Sequence, residues 1–92
     1  MAQSAFSGIV HGIVQGVGFR YFTMRQARAL GVKGSVRNRA DGTVEVHAEG
    51  ERGELEQLVR DLHSGPPGSV VERVEVTWGT PTGGYGDFSI DH

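Results

Sequence analysis

The sequence predicts an α+β fold in which an antiparallel sheet of four to five strands carries two helices on one face. Apolar residues recur at every second position in some segments and at every third or fourth position in others, as in strands and helices respectively. These segments follow in the order strand, helix, strand, strand, helix, strand. The Asp41-Gly42 pair between the second and third strand segments is typical of a tight turn between antiparallel strands.

The first unit is a strand, a glycine turn and a helix. Phe6 to Val14 places β-branched residues on both faces, which favours a central strand. The next residues, Gln15-Gly16-Val17-Gly18, form a turn rich in glycine, the residue that tolerates a positive φ. From Phe19 to Leu30 the spacing is that of one helix face, and Gly31 predicts the end of this helix.

The second unit is a hairpin followed by another helix. Val32 to Asn38 and Thr43 to Glu49 both alternate, so we expect them to be antiparallel neighbours joined by the turn at Arg39 to Gly42. Gly50 to His63 carries leucine and valine at i, i+3, i+4 and i+7, which is the pattern of an amphipathic helix. The segment from Ser64 to Gly68 contains two prolines and predicts the end of that helix.

The last unit is a strand followed by a glycine-rich link and a shorter fifth strand. Val70 to Trp78 alternates apolar with polar residues, and Tyr85 to Ile90 is long enough for one more short strand. The complete order is β-α-β-β-α-β with a small final strand. This order predicts the ferredoxin-like split β-α-β arrangement.

Size and composition limit the classes of protein that this chain can belong to. Ninety-two residues, of which 37% are hydrophobic and 22% charged, predict one folded domain spanning residues 1–92. No segment approaches the roughly 20 apolar residues that span a membrane, and Met1 to Phe6 lacks the features of an export signal. We therefore expect a cytoplasmic protein without membrane contact. The absence of cysteine excludes disulfides, thiol nucleophiles and zinc ribbons.

Charge is nearly balanced overall but is divided unevenly along the chain. The formal net charge of −2 argues against a dedicated nucleic-acid-binding protein, which usually carries a marked basic excess. Residues 1–46 hold six basic and two acidic residues, a net charge of +4, whereas residues 47–92 hold three and nine, a net charge of −6. Eight of the nine basic residues are arginine, whose planar fork suits phosphate and carboxylate. A solvated helix face and coincidence account for most of these arginines, but a small anionic substrate would still be drawn to the first half of the chain.

The glycine turn before the first helix is a candidate phosphate site. The first turn of a helix leaves N–H groups unpaired, and the helix dipole adds about half a positive charge there. Gln15 to Arg20 supplies such a backbone cradle, although the glycines alone favour a tight turn and nothing more. Arg20 in the first helical turn opposes the dipole, which favours a bound anion. The segment lacks a Walker A ending and the third glycine of a dinucleotide fingerprint, so no nucleotide cofactor is expected.

No metal site is predicted. The sequence has four histidines that share neither an i, i+4 spacing nor an acidic cluster: His11, His47, His63 and His92. The four glutamates between positions 49 and 56 are typical of a solvated helix start, where the dipole favours acidic residues. Asn38, at the end of the second predicted strand, is on its own a residue typical of turns.

Two long motifs occupy the first half of the chain. The first runs from Val10 to Arg20 and reads VHGIVQGVGFR, and the second runs from Gly34 to Gly50. They resemble the two signatures of the acylphosphatase family, the second with one departure, because Ser35 stands where the family usually has an aromatic residue. Gly65-Pro66-Pro67 and a closing Phe88-x-Ile90 also resemble the family, so the similarity covers nearly the whole chain.

The resemblance implies a small enzyme that hydrolyses carboxyl-phosphate anhydrides to a carboxylate and inorganic phosphate, without a metal or other cofactor. It makes Arg20 the phosphate-binding arginine and Asn38 the amide that orients the attacking water, and the Ser35 departure bears on the packing beside Asn38. The backbone cradle would then consist of five successive residues: Gln15, Gly16, Val17, Gly18 and Phe19. A monomer is expected, with a small acyl phosphate as substrate and inorganic phosphate as product and inhibitor.

This chemistry suits a site that has no obvious acid or base. A carboxylate leaving group needs no strong acid, because its conjugate acid has a pKa of about 4. A phosphomonoester would need its leaving alkoxide to be protonated or bound to a metal, so monoesters are expected to be poor substrates. Since the motifs offer no candidate base, the proton of the water is expected to go to a phosphate oxygen of the substrate.

Two other functions stay open at this point. The first is an RNA-binding module, because Val17 to Phe22 faintly resembles an RNA-recognition aromatic motif, although these aromatic residues enter a predicted helix instead of a strand. The second is a non-catalytic, phosphate-binding or regulatory domain. Units similar to acylphosphatase also occur inside larger proteins such as hydrogenase-maturation carbamoyltransferases.

Overall fold

Every predicted helix and strand is present, in the predicted order, in the computed structural model of the chain. The structure describes residues 2–92. Met1, the first residue of the predicted domain and of the segment from Met1 to Phe6, lies outside the described residues. The ends of the elements differ from the predicted ones by three residues or fewer. The elements are β1 (Gln3–Ile13), α1 (Phe19–Ala29), β2 (Lys33–Asn38), β3 (Val44–Glu51), α2 (Arg52–Ser64), β4 (Val70–Gly79) and β5 (Phe88–Ile90).

The sheet has the strand order β4-β1-β3-β2-β5, so β1 and β3 are adjacent interior strands. The four long strands pair antiparallel, as predicted. The short β5 differs, because it pairs in parallel with Gly34 to Val36 of β2 and makes the complete sheet mixed. The link after β4 turns the chain around, so β5 runs opposite to β4 and in the same direction as β2.

One apolar core lies between the sheet and the two helices. Phe19 and Ala27 of α1 are almost completely buried in it, together with Leu55, Leu58 and Leu62 of α2. Their spacing is the i, i+3, i+4 repeat that the sequence predicted for each helix. Both helices therefore cover the same face of the sheet, which confirms the predicted fold class.

The opposite face of the sheet carries polar and charged side chains. Its cross-strand ion pairs include His11 with Glu75 and Arg37 with Glu45. Glu49 on this face accepts hydrogen bonds from the 80–87 link and so fastens the link to the sheet. Neither helix in the described part of the chain is long and apolar enough to cross a membrane.

One end of the sheet gathers the residues that the sequence singled out. Val10 of β1 pairs with Val44 of β3, and Val44 pairs with Asn38 at the end of β2, so the three residues lie in one row across the sheet. Neighbouring strands lie about 4.8 Å apart, so this row spans roughly 10 Å. The glycine turn follows β1 and therefore lies at the same end as the turn between β2 and β3.

Candidate active site

The glycine turn has a backbone that ordinary residues rarely adopt. Gly16 and Gly18 have φ values of 76° and 77°, in the left-handed region. A Cβ atom at either position would meet no other atom within 4 Å, so the backbone conformation and not crowding is what requires glycine. Val14 and Phe19, buried on either side of the turn, anchor it to the core. Backbone turns of this kind direct successive N–H groups towards one point and bind anions.

The start of α1 adds unpaired donors to this turn. The first helical hydrogen bond runs from the N–H of Phe22 to the carbonyl of Gly18, so the N–H groups of Phe19, Arg20 and Tyr21 precede the helical ladder. The Gly18 N-cap makes no side-chain hydrogen bond, and no acidic residue lies in the first turn. This helix start is therefore electropositive and uncompensated by the side chains next to it.

A small cavity of about 70 Å³ lies at this helix start. A cavity needs a volume of roughly 10–15 Å³ to hold one water. This cavity can therefore hold several waters, or a chemical group as large as several waters. It is lined by Val14, Gly16, Gly18, Phe19, Arg20, Tyr21 and Asn38. No histidine or carboxylate is among these residues, and residues 2–92 contain no cluster of three or more such groups that could hold a metal ion.

Two larger grooves lie elsewhere and have a different chemistry. One of about 240 Å³ lies between the sheet and the 80–87 link, beside Trp78 and Tyr85. The other, of about 530 Å³, lies at the opposite end of the sheet and is lined by Glu49, Glu51 and Glu54. In this groove three carboxylates outnumber the one basic residue, Lys33, and disfavour a phosphate, whereas the small cavity has no carboxylate and includes Arg20.

Asn38 reaches the same cavity from β2. Its Oδ1 atom is buried and has no hydrogen-bond partner in the described part of the chain. A buried amide oxygen without a partner costs about 1–3 kcal/mol, so native proteins usually supply one from the chain, from water or from a ligand. Asn38 is also part of the wall of the cavity.

The predicted cradle residues do not all line the cavity. Gly16, Gly18 and Phe19 do, together with Arg20, whereas Gln15 and Val17 do not. Val17 packs against the core. The Gln15 side chain reaches away to the turn between β2 and β3, a contact that sequence reasoning missed because no local pattern reveals a hydrogen bond between two turns.

Sequence comparison identifies the family of this chain. Residues 6–90 match the sequence model of the acylphosphatase family. The chain belongs to this family. An acylphosphatase of Thermotoga petrophila is 53% identical over 83 residues, which cover 90% of this chain and 91% of that relative. The predicted family is confirmed.

Solved structures confirm the fold of this acylphosphatase-family chain. The crystal structure of acylphosphatase from Bacillus subtilis is similar with a TM-score of 0.94 and 40% identity, covering 97% of this chain and 99% of that chain. Part of full-length HypF, in a phosphate- and nucleotide-bound form, is similar with a TM-score of 0.85 and 31% identity. That match covers 99% of this chain but 12% of HypF.

Arg20 has no acidic partner among the described residues, unlike Arg37 and Arg39 beside the turn after Asn38. Arg37 lies 2.9 Å from Glu45, and Arg39 lies 3.9 Å from the same carboxylate and from Asp41. A hydrogen bond with His47, followed by one from Arg37, lowers the pKa of Glu45 and keeps it charged. Arg20 makes no ion pair within residues 2–92, so its charge is available at the cavity.

The turn after Asn38 is held by its own side chains. Asp41 Oδ1 accepts hydrogen bonds from the hydroxyl and the N–H of Thr43, and these bonds lower the pKa of Asp41, the hydroxyl contributing most. The negative charge of Asp41 is therefore used inside the turn. Asp41 does not line the cavity and does not compete there for an anion.

Ser35, the one departure from the family pattern, lies on the other face of β2 from the cavity residue. Side chains alternate along a strand, so Asn38 shares the face of buried Val36, and Ser35 faces the opposite way, opposite His47 of β3. The departure therefore changes the packing on the open face of the sheet. It does not alter the immediate neighbours of the Asn38 side chain.

Proposed function

We propose that this chain hydrolyses acyl phosphates by a mechanism in which Arg20 and the backbone of Gln15 to Phe19 bind the phosphoryl group and Asn38 orients the attacking water. Membership of the acylphosphatase family supports hydrolysis of the carboxyl-phosphate anhydride. One observation carries the residue assignment: Arg20, which has no acidic partner, and Asn38, whose buried amide oxygen is unpaired, line the same cavity.

Binding of the phosphoryl group would use charge and geometry together. The guanidinium of Arg20 offers two parallel N–H donors to two phosphate oxygens. The N–H groups at the start of α1 offer further donors in a fixed arrangement, and the helix dipole favours negative charge at this point. Donors that are already in position need no reorganisation when charge develops in the transition state, so they stabilise that state preferentially.

The attacking water would be held by Asn38. Its Oδ1 accepts one hydrogen of the water, which directs a lone pair of the water oxygen at phosphorus. As the new P–O bond forms, the bond from phosphorus to the bridging oxygen breaks, and the acyl group leaves as a carboxylate with that electron pair. The proton of the water goes to a phosphate oxygen of the substrate, because no histidine or carboxylate lines the cavity to accept it.

The leaving group explains why this small set of residues is sufficient. A carboxylate is stable without protonation near neutral pH, since its conjugate acid has a pKa of about 4. An alkoxide leaving group would need an acid or a metal, and the cavity wall offers neither an acidic side chain nor a cluster of metal ligands. The mechanism is therefore specific for anhydrides over monoesters.

The RNA-binding alternative has no support from the position of the aromatic residues. Phe19 is buried and Phe22 packs against it within α1, and Tyr21 is exposed but lies on the helix and not on the sheet where RNA-recognition modules stack bases. The open face of the sheet, where RNA-binding modules stack bases, instead carries Glu45, Glu49 and Glu75.

We further propose that residues 1–92 act as one domain, as a cytoplasmic monomer that does not bind nucleic acid, with inorganic phosphate as product and competitive inhibitor.

Release of inorganic phosphate from benzoyl phosphate, measured with and without EDTA, tests this function directly. Equal rates with and without EDTA are expected, together with a far slower reaction on p-nitrophenyl phosphate, which is a monoester. Loss of activity on chelation and its recovery with magnesium would contradict the metal-free mechanism. No hydrolysis of benzoyl phosphate under any condition would leave a phosphate-binding module as the better interpretation.

A further inference from the structure

The side chain of Gln15 joins the glycine turn to the turn between β2 and β3. Its Nε2 donates hydrogen bonds to the carbonyl oxygen of Arg39 at 2.8 Å and to that of Thr43 at 2.9 Å. A primary amide has two N–H donors, so both are used. The two carbonyls stand at the two ends of the turn, which is itself closed by a 2.8 Å hydrogen bond from the N–H of Arg39 to the carbonyl of Thr43.

The sheet connects these two turns only indirectly, through the intervening strand β3. The β1–β3 ladder ends at the pair Val10 and Val44, and β1 continues to Ile13 paired with β4 alone. Because β3 separates β1 from β2, no ladder joins the strand before the glycine turn to the strand that ends in Asn38. Within the described residues, the two bonds from Gln15 are the only hydrogen bonds between segments 14–21 and 38–43.

The turn can keep its shape without Gln15. The carbonyl of Arg39 also accepts a hydrogen bond from the N–H of Gly42, and Asp41 holds the N–H and hydroxyl of Thr43. Each bonded carbonyl has two lone pairs, so removing Gln15 leaves one bond to each of them. Loss of the Gln15 amide would therefore leave the turn folded but without its direct hydrogen bonds to the glycine turn.

Asn38 is the residue that a movement of this turn would displace. It directly precedes Arg39, so a bond to the Arg39 carbonyl restrains the backbone one residue beyond the Asn38 side chain. We propose that Gln15 is a positioning residue, whose side-chain amide holds Asn38 at the distance from the phosphate cavity at which the oriented water faces phosphorus. This inference rests on the proposed role of Asn38 and assigns the Gln15 side chain a role separate from the backbone cradle.

The variant Gln15→Met tests this role, because methionine has a similar length and shape but no donor. We expect kcat on benzoyl phosphate to fall by at least about tenfold, since misplacement by about 1 Å costs on the order of 10²-fold in rate. The inhibition constant of inorganic phosphate should change less than about twofold, since the cradle backbone and Arg20 are intact. Gln57→Met is the matched control, because it removes an amide whose hydrogen bonds lie within α2, and it should leave both constants unchanged.

A double variant separates positioning from a general effect on structure. If Gln15 acts through Asn38, adding Gln15→Met to Asn38→Ala should lower kcat no further, because residues that work as one unit have non-additive effects. Gln15→Asn is a more conservative second variant, because it keeps the amide but shortens the side chain by one methylene. It should show the same loss of kcat, with an unchanged inhibition constant of phosphate. Circular dichroism checks that each variant is folded.

Three outcomes would overturn the inference. Wild-type kcat in folded Gln15→Met and Gln15→Asn would show that the link has no effect on the reaction. Additive losses in the double variant would show that Gln15 acts on something other than Asn38, while the proposed roles of Arg20 and Asn38 would stand. Full activity of Asn38→Ala by itself would instead remove the proposed function of Asn38, and this inference with it.

Discussion

The two helices of this fold begin in opposite ways. Before α1, Gly18 adopts a left-handed conformation, no acidic residue lies in the first turn, and Arg20 adds a positive charge to the positive end of the helix dipole. Before α2, Glu51 is the N-cap in an extended conformation, and Glu54 lies in the first turn. The dipole of α2 is thus compensated by side chains of the chain itself, whereas that of α1 is reinforced.

The arginines in the first turns of the two helices also differ in whether neighbouring side chains compensate their charge. Arg52 of α2 lies 3.6 Å from the centre of the Trp78 ring and 3.1 Å from Glu56, so its charge is used in a cation–π contact and an ion pair. Arg20 of α1 has no ion pair among residues 2–92 and is in the wall of the cavity. On the proposed function, the helix start that binds the anion is the one whose charge the chain leaves uncompensated.

Exchanging each arginine for lysine is the strongest test of this difference. Arg20→Lys should lower kcat/KM on benzoyl phosphate by on the order of 10²–10³-fold, because lysine is a point charge that cannot form the two-pronged contact. Arg52→Lys should stay within about twofold of the wild type, because its partners lie on α2 and β4.

A second measurement isolates binding from turnover in the same two variants. Inorganic phosphate at about 100 times its dissociation constant should stabilise the wild type and Arg52→Lys by about 2.7 kcal/mol. Thermal unfolding measures this stabilisation. Arg20→Lys should show much less stabilisation at the same concentration. Near-wild-type hydrolysis by Arg20→Lys would show that the assignment of Arg20 is wrong.

Asn38 lines the cavity at the start of α1 but lies on β2, so changing it tests the site without changing the helix. Asn38→Ala should lower kcat by on the order of 10²-fold, because the effective concentration of correctly placed water is lost. The inhibition constant of phosphate should change little, because the helix start and Arg20 are intact. Steady-state kinetics with phosphate as inhibitor, after circular dichroism has shown a folded protein, checks this. Loss of phosphate affinity as large as in Arg20→Lys would contradict a role in water orientation alone.

The smallest expected effect concerns the glycines at the two helix starts. Gly18→Ala should destabilise the protein by about 1–2 kcal/mol, because an L-residue is strained at a φ of 77°. Gly53→Ala, in the first turn of α2, should stabilise it by up to about 1 kcal/mol, because alanine favours a helix and its Cβ would meet open space. Urea unfolding measures both changes, and destabilisation by both variants to the same extent would contradict the difference in backbone conformation.

The amphipathic helices and the alternating strands were predictable because each is a local pattern with a short period. Leu55, Leu58 and Leu62 share a face for reasons of helix geometry alone, and all three are buried where predicted. The parallel pairing of β5 was not predictable in the same way, because a three-residue strand has no turn next to it to set its direction. Its pairing depends on the path of the link across the sheet.

By itself, the sequence determined the order of the elements, the glycine turn at the start of α1 and the family, since all of these are written in contiguous residues. Tertiary structure alone decided that Asn38 and Arg20 line one cavity, that Oδ1 of Asn38 is left without a partner, and that Gln15 joins the two turns. These contacts join segments about 20 residues apart that share no strand pairing, so no local periodicity encodes them. They arise because one shared core holds the last residues of β1 and β2 at the same end of the sheet.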